Sequence, residues 1–468
     1  MPLHPDRLLP IEPEARAIAR ELYIGVAGLP ILSPHGHTEP RWYAENQPFP
    51  DPVSLFVRPD HYIFRMLYSQ GISLEALGVP DRHGVVRNRD DRAIWRLFAK
   101  NWYLFRGTPS RLWLEHSFET LFGITERLSE SNADAVYDTI AEALARPEFR
   151  PRALYERFNI EAISTTDGAL DPLAWHDQIR ASGWRGRVLP AYRPDFVVDP
   201  ERDPGGFGER LAQFCDMAGT PMSWEGYLEA HRIRRAYFIA RGATSTDHGH
   251  PSAATADLPR EAAAALFDRV ALGGANAADA ELFRAQMLTE MARMSLDDGL
   301  VMQLHPGSFR NHSPALFDVY GPDKGADIPQ QTDYVRALKP LLDAVGTDPR
   351  LTLVLFTLDE TAYARELAPL AGVYPALRLG PAWWFFDSPE GMRRFRETTT
   401  ETAGFYNTVG FNDDTRAFLS IPARHDMSRR IDCSYLARLV ADHRLELEEA
   451  HEVAHDLAYG LAKRAYKL

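Results

Sequence analysis

Residues 29–37 read Leu29-Pro30-Ile31-Leu32-Ser33-Pro34-His35-Gly36-His37: a short apolar run that stops in paired histidines. Continuous apolar character, without polar alternation, suits a parallel strand covered on both faces. In extended backbone, residues i and i+2 point to the same side. His35 and His37 would then present two imidazoles to one point, enough to bind a divalent metal with positions left open. An isolated H-x-H is weak evidence; two unrelated loop histidines would read the same way.

The same pattern recurs along the chain. Apolar runs read as further strands at Ala162 to Ser164, Val188 to Ala191, Tyr237 to Ala240, Leu300 to Leu304, Leu351 to Phe356, Leu377 to Leu379 and Tyr406 to Phe411. Helical periodicity falls between them, as in Leu173 to Arg180, Glu261 to Val270, Ala278 to Met294 and Thr332 to Ala344. Ionisable residues follow strand after strand: Thr165-Thr166-Asp167, Arg193-Pro194-Asp195, Asp247-His248, His305 and Asp413-Asp414. An open doubly wound sheet gathers its ligand contacts at one switch point, whereas a (β/α)₈ barrel draws them from every strand end. The expectation is therefore an α/β chain folded as one (β/α)₈ barrel over residues 1–468. Residues 40–158 break the rhythm with aromatic, helical patterning, for example Asp91 to Trp102 and Ser110 to Leu121, and read as a helical insertion after the first strand. Residues 242–258 read as a loop, and no internal repeat is visible.

Composition excludes several classes. Of 468 residues, 45% are hydrophobic and 25% charged, ordinary values for a folded protein. Lys plus Arg number 52 and Asp plus Glu 65, a net charge of −13 that disfavours nucleic acid. The two cysteines, Cys215 and Cys433, fall in no paired motif, which excludes a disulfide framework and a cysteine-rich zinc site. No apolar run approaches the ~20 residues of a membrane span, and the start MPLHPDRLLP lacks a signal-peptide pattern. A cytoplasmic address is expected. There is no G-x-G-x-x-G after a strand and no P-loop motif, so nucleotide cradling has little support.

Among residues that could carry chemistry, Asp413 and Asp414 follow the last strand. Either could complete a His-His-Asp site or act as a base, and either could simply cap a helix. Arg193, Arg310 and Arg416 lie at loop ends of the same barrel. A guanidinium fork matches a carboxylate, so together they suggest a small acidic substrate. Tyr62, within Asp60-His61-Tyr62, is a packing aromatic or a proton carrier. Ala382-Trp383-Trp384-Phe385 reads as core or pocket wall, and Arg424-His425 as a salt-bridging pair.

Taken in order, these motifs resemble the uronate isomerase (glucuronate isomerase) family of the amidohydrolase superfamily. The resemblance runs nearly the whole chain, from His35-Gly36-His37 and Asp60-His61-Tyr62 to Gly391-Met392, Phe418-Leu419-Ser420 and Arg424-His425. It implies a distorted barrel that interconverts D-glucuronate with D-fructuronate, and D-galacturonate with D-tagaturonate. It implies one divalent metal, expected to be zinc, on His35, His37 and Asp414. Asp414, Tyr62 and His35 then serve catalysis, and Arg193, Asp247, His305, Arg310, Arg416 and Trp384 meet the substrate. A homo-oligomer is compatible with it. Two departures stand out: Ser33 occupies a position where many members carry Asp, and Phe356-Thr357-Leu358-Asp359-Glu360 lacks the arginine usual after the sixth strand. The tandem Asp413-Asp414 leaves the register of the acid open by one residue.

The implied chemistry moves a proton from C2 to C1 through an enediolate, which needs positive charge nearby. Asp414 would first help open the sugar ring, and Tyr62 would help relay the carbon-bound proton. A metal-dependent sugar-acid lactonase on the same scaffold is the rival enzyme, since fold alone does not separate the two. A silent sugar-acid binding protein is the rival outside catalysis.

Overall fold

Among the described residues, seven strands form one parallel sheet, each beside the next in chain order. They are β1 (Ile31–Ser33), β2 (Ile160–Gly168), β3 (Arg187–Arg193), β4 (Ser245–His248), β5 (Val301–Leu304), β8 (Leu353–Leu355) and β9 (Leu377–Leu379). Two further short strands, β6 (Ser308–Phe309) and β7 (Ile328–Pro329), pair antiparallel as a separate ribbon. The structure is a computed structural model that describes residues 3–202 and 205–468. Parallel pairing puts every strand's C-terminal end on one side of the sheet. In register, Gly168 faces Arg193, Asp247 faces Gln303, and Leu304 faces Leu355.

Strands β4, β5 and β8 are buried at every residue, as expected of a parallel sheet covered on both faces. Helices Trp224–Ile239 and Ala277–Asp298 lie between strands and Pro389–Ala403 follows β9; their apolar sides join Met302, Leu304, Leu353, Leu355, Leu377 and Leu379 in one core. Beyond β9 a single bridge pairs Leu379 with Thr408. The backbone N–H of His37 then donates to Thr415 O at 3.1 Å, joining the first strand's extension to the last segment.

Between β1 and β2 the chain forms a run of helices, including His61–Tyr68, Asp91–Lys100, Pro109–Phe122 and Ala133–Leu144. Phe56, Trp95, Phe98, Phe118 and Ile140 pack them into a second core, shared with Ile31, Ile160, Ile163 and Val188 of the first three strands and with Phe418. Side-chain caps set their starts: Asp60, Asp90 and Thr108 each accept a backbone N–H of the first turn.

Four sequence expectations need correction, one of them partial: Thr332 to Ala344, read as helical, is a helix only over Lys339–Val345. Tyr237 to Ala240 is the end of helix Trp224–Ile239, not a strand. Ser223 caps that helix, and Tyr227, Ala230, His231, Arg234 and Phe238 form its buried stripe; arginines within the stripe hide its period. The fourth strand is instead Ser245–His248, inside the stretch read as a loop. Tyr406 to Phe411 makes one bridge and no strand. Gly410 explains this: its φ is +75°, and a Cβ there would lie 2.9 Å from Leu457 O, so the chain turns where a strand would run straight.

A buried bidentate pair ties helix Pro389–Ala403 to helix Ile421–Ala441. Arg396 Nε and Nη2 donate to Asp432 at 2.6 and 3.1 Å, with side chains only 4% and 8% exposed. Arg396→Met should cost about 3–5 kcal/mol in urea unfolding, because it strands a buried carboxylate. Adding Asp432→Leu should recover most of that loss. An unchanged unfolding midpoint for the single variant would show the pair to be dispensable.

Candidate active site

The strand ends open on one cavity of about 920 Å³. His35, His37, Tyr62, Arg193, Asp247, His305, Arg310, Trp384, Asp414 and Arg416, all singled out from the sequence, line it together.

At its floor the two histidines that follow β1 face the acid from the chain's far end. Asp414 Oδ1 lies 3.4 Å from His35 Nε2 and 3.1 Å from His37 Nε2. Asp413 turns the other way, onto His425 at 3.1 Å. The backbone makes the choice: Asp414 sits at φ +37°, a left-handed conformation that Asp tolerates better than most residues, and this reverses the side-chain direction between neighbours. Burial pushes the Asp414 carboxyl up, but His35 and His37 outweigh it and hold it well below the usual range. Burial likewise lowers His35, yet Asp414 and Asp247 leave it raised, whereas in His37 burial prevails and lowers it.

His305 immediately follows β5 and joins this group. Its ring stacks on His35 with centroids 4.5 Å apart. Nδ1 lies 2.7 Å from Asp247 Oδ1; an ionised carboxylate only accepts, so Nδ1–H donates and Nε2 carries a bare lone pair. That Nε2 is buried without a hydrogen-bond partner. Ligand atoms of His35, His305 and Asp414 lie within 4.8 Å of one another. Two imidazoles and a carboxylate, with an orphaned nitrogen and a second carboxylate fixing its tautomer, fit a divalent cation. The grouping of Asp195, His248 and His250 also lies within 4.8 Å. Its carboxylate is already engaged at 2.8 Å by both Arg193 and Arg202, so it reads as a structural ion-pair network.

The arginines are pre-paired. Arg193 bridges Asp195 at 2.8 Å and Asp247 at 3.2 Å, both carboxylates buried. Arg310 holds Asp327 at 2.7 Å, and Arg416 holds Asp323 at 3.1 Å. After β8, where an arginine was missing, Phe356 stacks face to face on His305 at 3.9 Å. Two further cavity cations escaped assignment from the sequence. Arg202 donates to Asp195 and to Gly249 O, and Arg424 donates to Asp387 at 2.8 Å. No local motif marks Arg202. Arg424 was visible only as half of an ordinary Arg-His pair.

Tyr62 reaches the cavity from the first turn of helix His61–Tyr68, which Asp60 caps at 2.9 Å. Burial, then Asp387, pushes its phenol well above the usual value. Beside it His61 stacks on Trp384, with centroids 5.0 Å apart; burial and then Arg416 lower that imidazole to about 3, so it is neutral.

Comparison with known proteins gives a consistent answer. The family model for glucuronate isomerase matches residues 14–466. A uronate isomerase of Brucella canis is 69% identical over 468 residues, covering 100% of both chains. The solved glucuronate isomerase of Caulobacter crescentus superposes with TM-score 0.97 at 60% identity, over 100% of this chain and 97% of that one. The uronate isomerase of Thermotoga maritima superposes with TM-score 0.92 at 26% identity, over 100% of both. The chain belongs to the glucuronate isomerase family, a family of aldose–ketose isomerases.

Proposed function

We propose that this chain interconverts D-glucuronate with D-fructuronate, and D-galacturonate with D-tagaturonate, at the cavity described above. The observation that carries the reading is one chamber holding a His/His/Asp cluster at its floor and arginines at its rim. A sugar acid needs both: a polarising site for C1 and C2, and cations for its carboxylate. The sheet is read as a (β/α)₈ barrel forming one domain, closed through Thr408 and the His37–Thr415 hydrogen bond, with residues 40–158 as an insertion delivering Tyr62. The two buried free thiols, Cys215 and Cys433, fit a cytoplasmic address.

His35, His37, Asp414 and His305 would hold one divalent metal, and this donor set suits zinc. When bound, the metal would supply positive charge against the developing enediolate. The remaining work falls to the chain itself. Asp414 takes a hydroxyl proton as the ring opens. Arg310 and Arg416 orient the carboxylate, and Arg193 holds Asp247, which keeps His305 in the tautomer that leaves Nε2 free. Trp384 and His61 form an apolar wall, and Tyr62 handles the carbon-bound proton.

An assay with glucuronate and galacturonate, coupled to detection of the ketose, tests the reading. Both should yield ketose; chelator should stop the reaction and added divalent metal restore it. Loss of a sugar lactone without ketose formation would favour the hydrolase instead.

A further inference from the structure

We infer that Asp387 takes the phenolic proton of Tyr62 during isomerisation, so that Tyr62 and Asp387 work as one relay. The inference rests on the assignment of Tyr62 to proton transfer. Three elements far apart in sequence build the pair. Tyr62 comes from the helix after β1, Asp387 from the turn after β9, and Arg424 from helix Ile421–Ala441. The Tyr62 hydroxyl lies 2.8 and 2.9 Å from the two Asp387 oxygens. Arg424 Nη1 donates to Oδ2 of the same carboxylate at 2.8 Å. All three residues line the cavity, and Asp387 and Arg424 are only 8% and 3% exposed.

The arrangement is held rigidly. Arg424 also donates to Ser420 Oγ at 3.2 Å and to Asp413 O at 3.3 Å, and lies 3.5 Å over the Trp113 ring. Trp113 in turn meets Tyr62 edge-on, with centroids 5.6 Å apart. The turn carrying Asp387 is fixed by Gly391, where a Cβ would stand 2.0 Å from Phe386 O. Ser388 caps the helix that follows. Anchoring by Arg424 occupies Oδ2, yet both oxygens stay within hydrogen-bond reach of the phenol.

The consequence concerns direction. An ionised carboxylate can only accept, so the phenolic hydrogen is committed to Asp387 and the tyrosine oxygen offers lone pairs to a substrate. Tyr62 can then receive a proton only by passing its own to Asp387. In the forward step the C2–H bond breaks and its proton goes to the Tyr62 oxygen. The Tyr62 O–H proton goes to Asp387. The C–H electron pair becomes the C1=C2 bond, and the carbonyl pair moves onto O1. In the return step Asp387 gives its proton back to Tyr62, and Tyr62 protonates C1. The O2 hydroxyl proton passes to O1, leaving the ketone at C2. No external acid, base or oxidant is consumed. Asp387 is a positioning residue here, acting on the substrate through Tyr62.

The test is a cycle of Asp387→Asn, Tyr62→Phe and the double variant, assayed with glucuronate. Asn keeps an acceptor for the phenol but takes no proton. Each single variant should lose about a hundredfold to ten-thousandfold in kcat with KM within about threefold, and the double should lose no more than the worse single. If Asp387→Asn does not fold, isotope effects on the native enzyme decide. Both O–H and C–H move in one step, so C2-deuterated glucuronate should slow turnover by the same factor in D₂O as in H₂O, with a solvent effect multiplying it. Near-native kcat for Asp387→Asn beside a collapsed Tyr62→Phe overturns the relay while leaving the uronate reading intact. Native turnover by Tyr62→Phe overturns the role of Tyr62 itself, as would the absence of any solvent isotope effect.

Discussion

Asp414→Asn should lower kcat/KM for glucuronate by about a thousandfold or more, with loss of bound metal and little change in thermal stability. Asn tolerates the left-handed backbone at φ +37° as readily as Asp, so the fold survives the change. What disappears is the negative charge facing His35 Nε2 at 3.4 Å and His37 Nε2 at 3.1 Å. A neutral carboxamide binds a divalent cation poorly and cannot act as a base. Losing several kcal/mol of charge stabilisation corresponds to about three orders of magnitude in rate. Asp413→Asn is the control, because Asp413 pairs with His425 and not with His35 or His37. It should retain far more activity. Metal analysis and kinetics on both variants read the result, and an active Asp413→Asn with a dead Asp414→Asn is the expected pattern. The reverse would mean that the acid belongs one residue earlier.

Removing the substrate carboxylate should be almost as damaging. Glucose keeps the reacting C1–C2 unit but lacks the anion. Each charge-assisted hydrogen bond is worth about 1.5–3 kcal/mol, so losing two costs roughly a hundredfold to ten-thousandfold. The structure moves this expectation toward the lower end. The Arg310 and Arg416 side chains are 33% and 41% exposed, and each already holds a carboxylate, Asp327 and Asp323 respectively. The incoming acid must therefore displace Asp323 from Arg416, and the net gain is smaller than for a bare cation. Arg193 contributes mainly by fixing Asp247, since both its partners are buried. Arg416→Met should cost glucuronate about tenfold in kcat/KM and leave glucose unchanged. Comparable turnover of glucose and glucuronate by the native enzyme would sink the carboxylate reading.

The apolar runs at β1, β3 and β8 were legible because a parallel strand covered on both faces favours continuous hydrophobic residues, and β2, β5 and β9 were legible despite Glu161, Gln303 and Arg378. The strand that failed to declare itself is the one most engaged in the site. Ser245-Thr246-Asp247-His248 is wholly polar and wholly buried. It is tolerated there because partners from other strands satisfy it: Gln303 on Ser245, and His305 with Arg193 on Asp247. No local pattern can announce partners dozens of residues away.

The site divides along the same line. The residue types, their order and their place after strands could be read directly; both histidines lie beside Asp414, although the chain bends at His35 instead of continuing the strand. Three features waited for the tertiary structure. The choice of Asp414 over Asp413 depends on one left-handed residue held by its surroundings. The free nitrogen of His305 depends on a carboxylate from the neighbouring strand. The Tyr62–Asp387–Arg424 group depends on a helix near the start of the chain meeting a turn and a helix near its end. Local chemistry sets which groups are available; the closure of distant segments sets which of them share a proton or a metal.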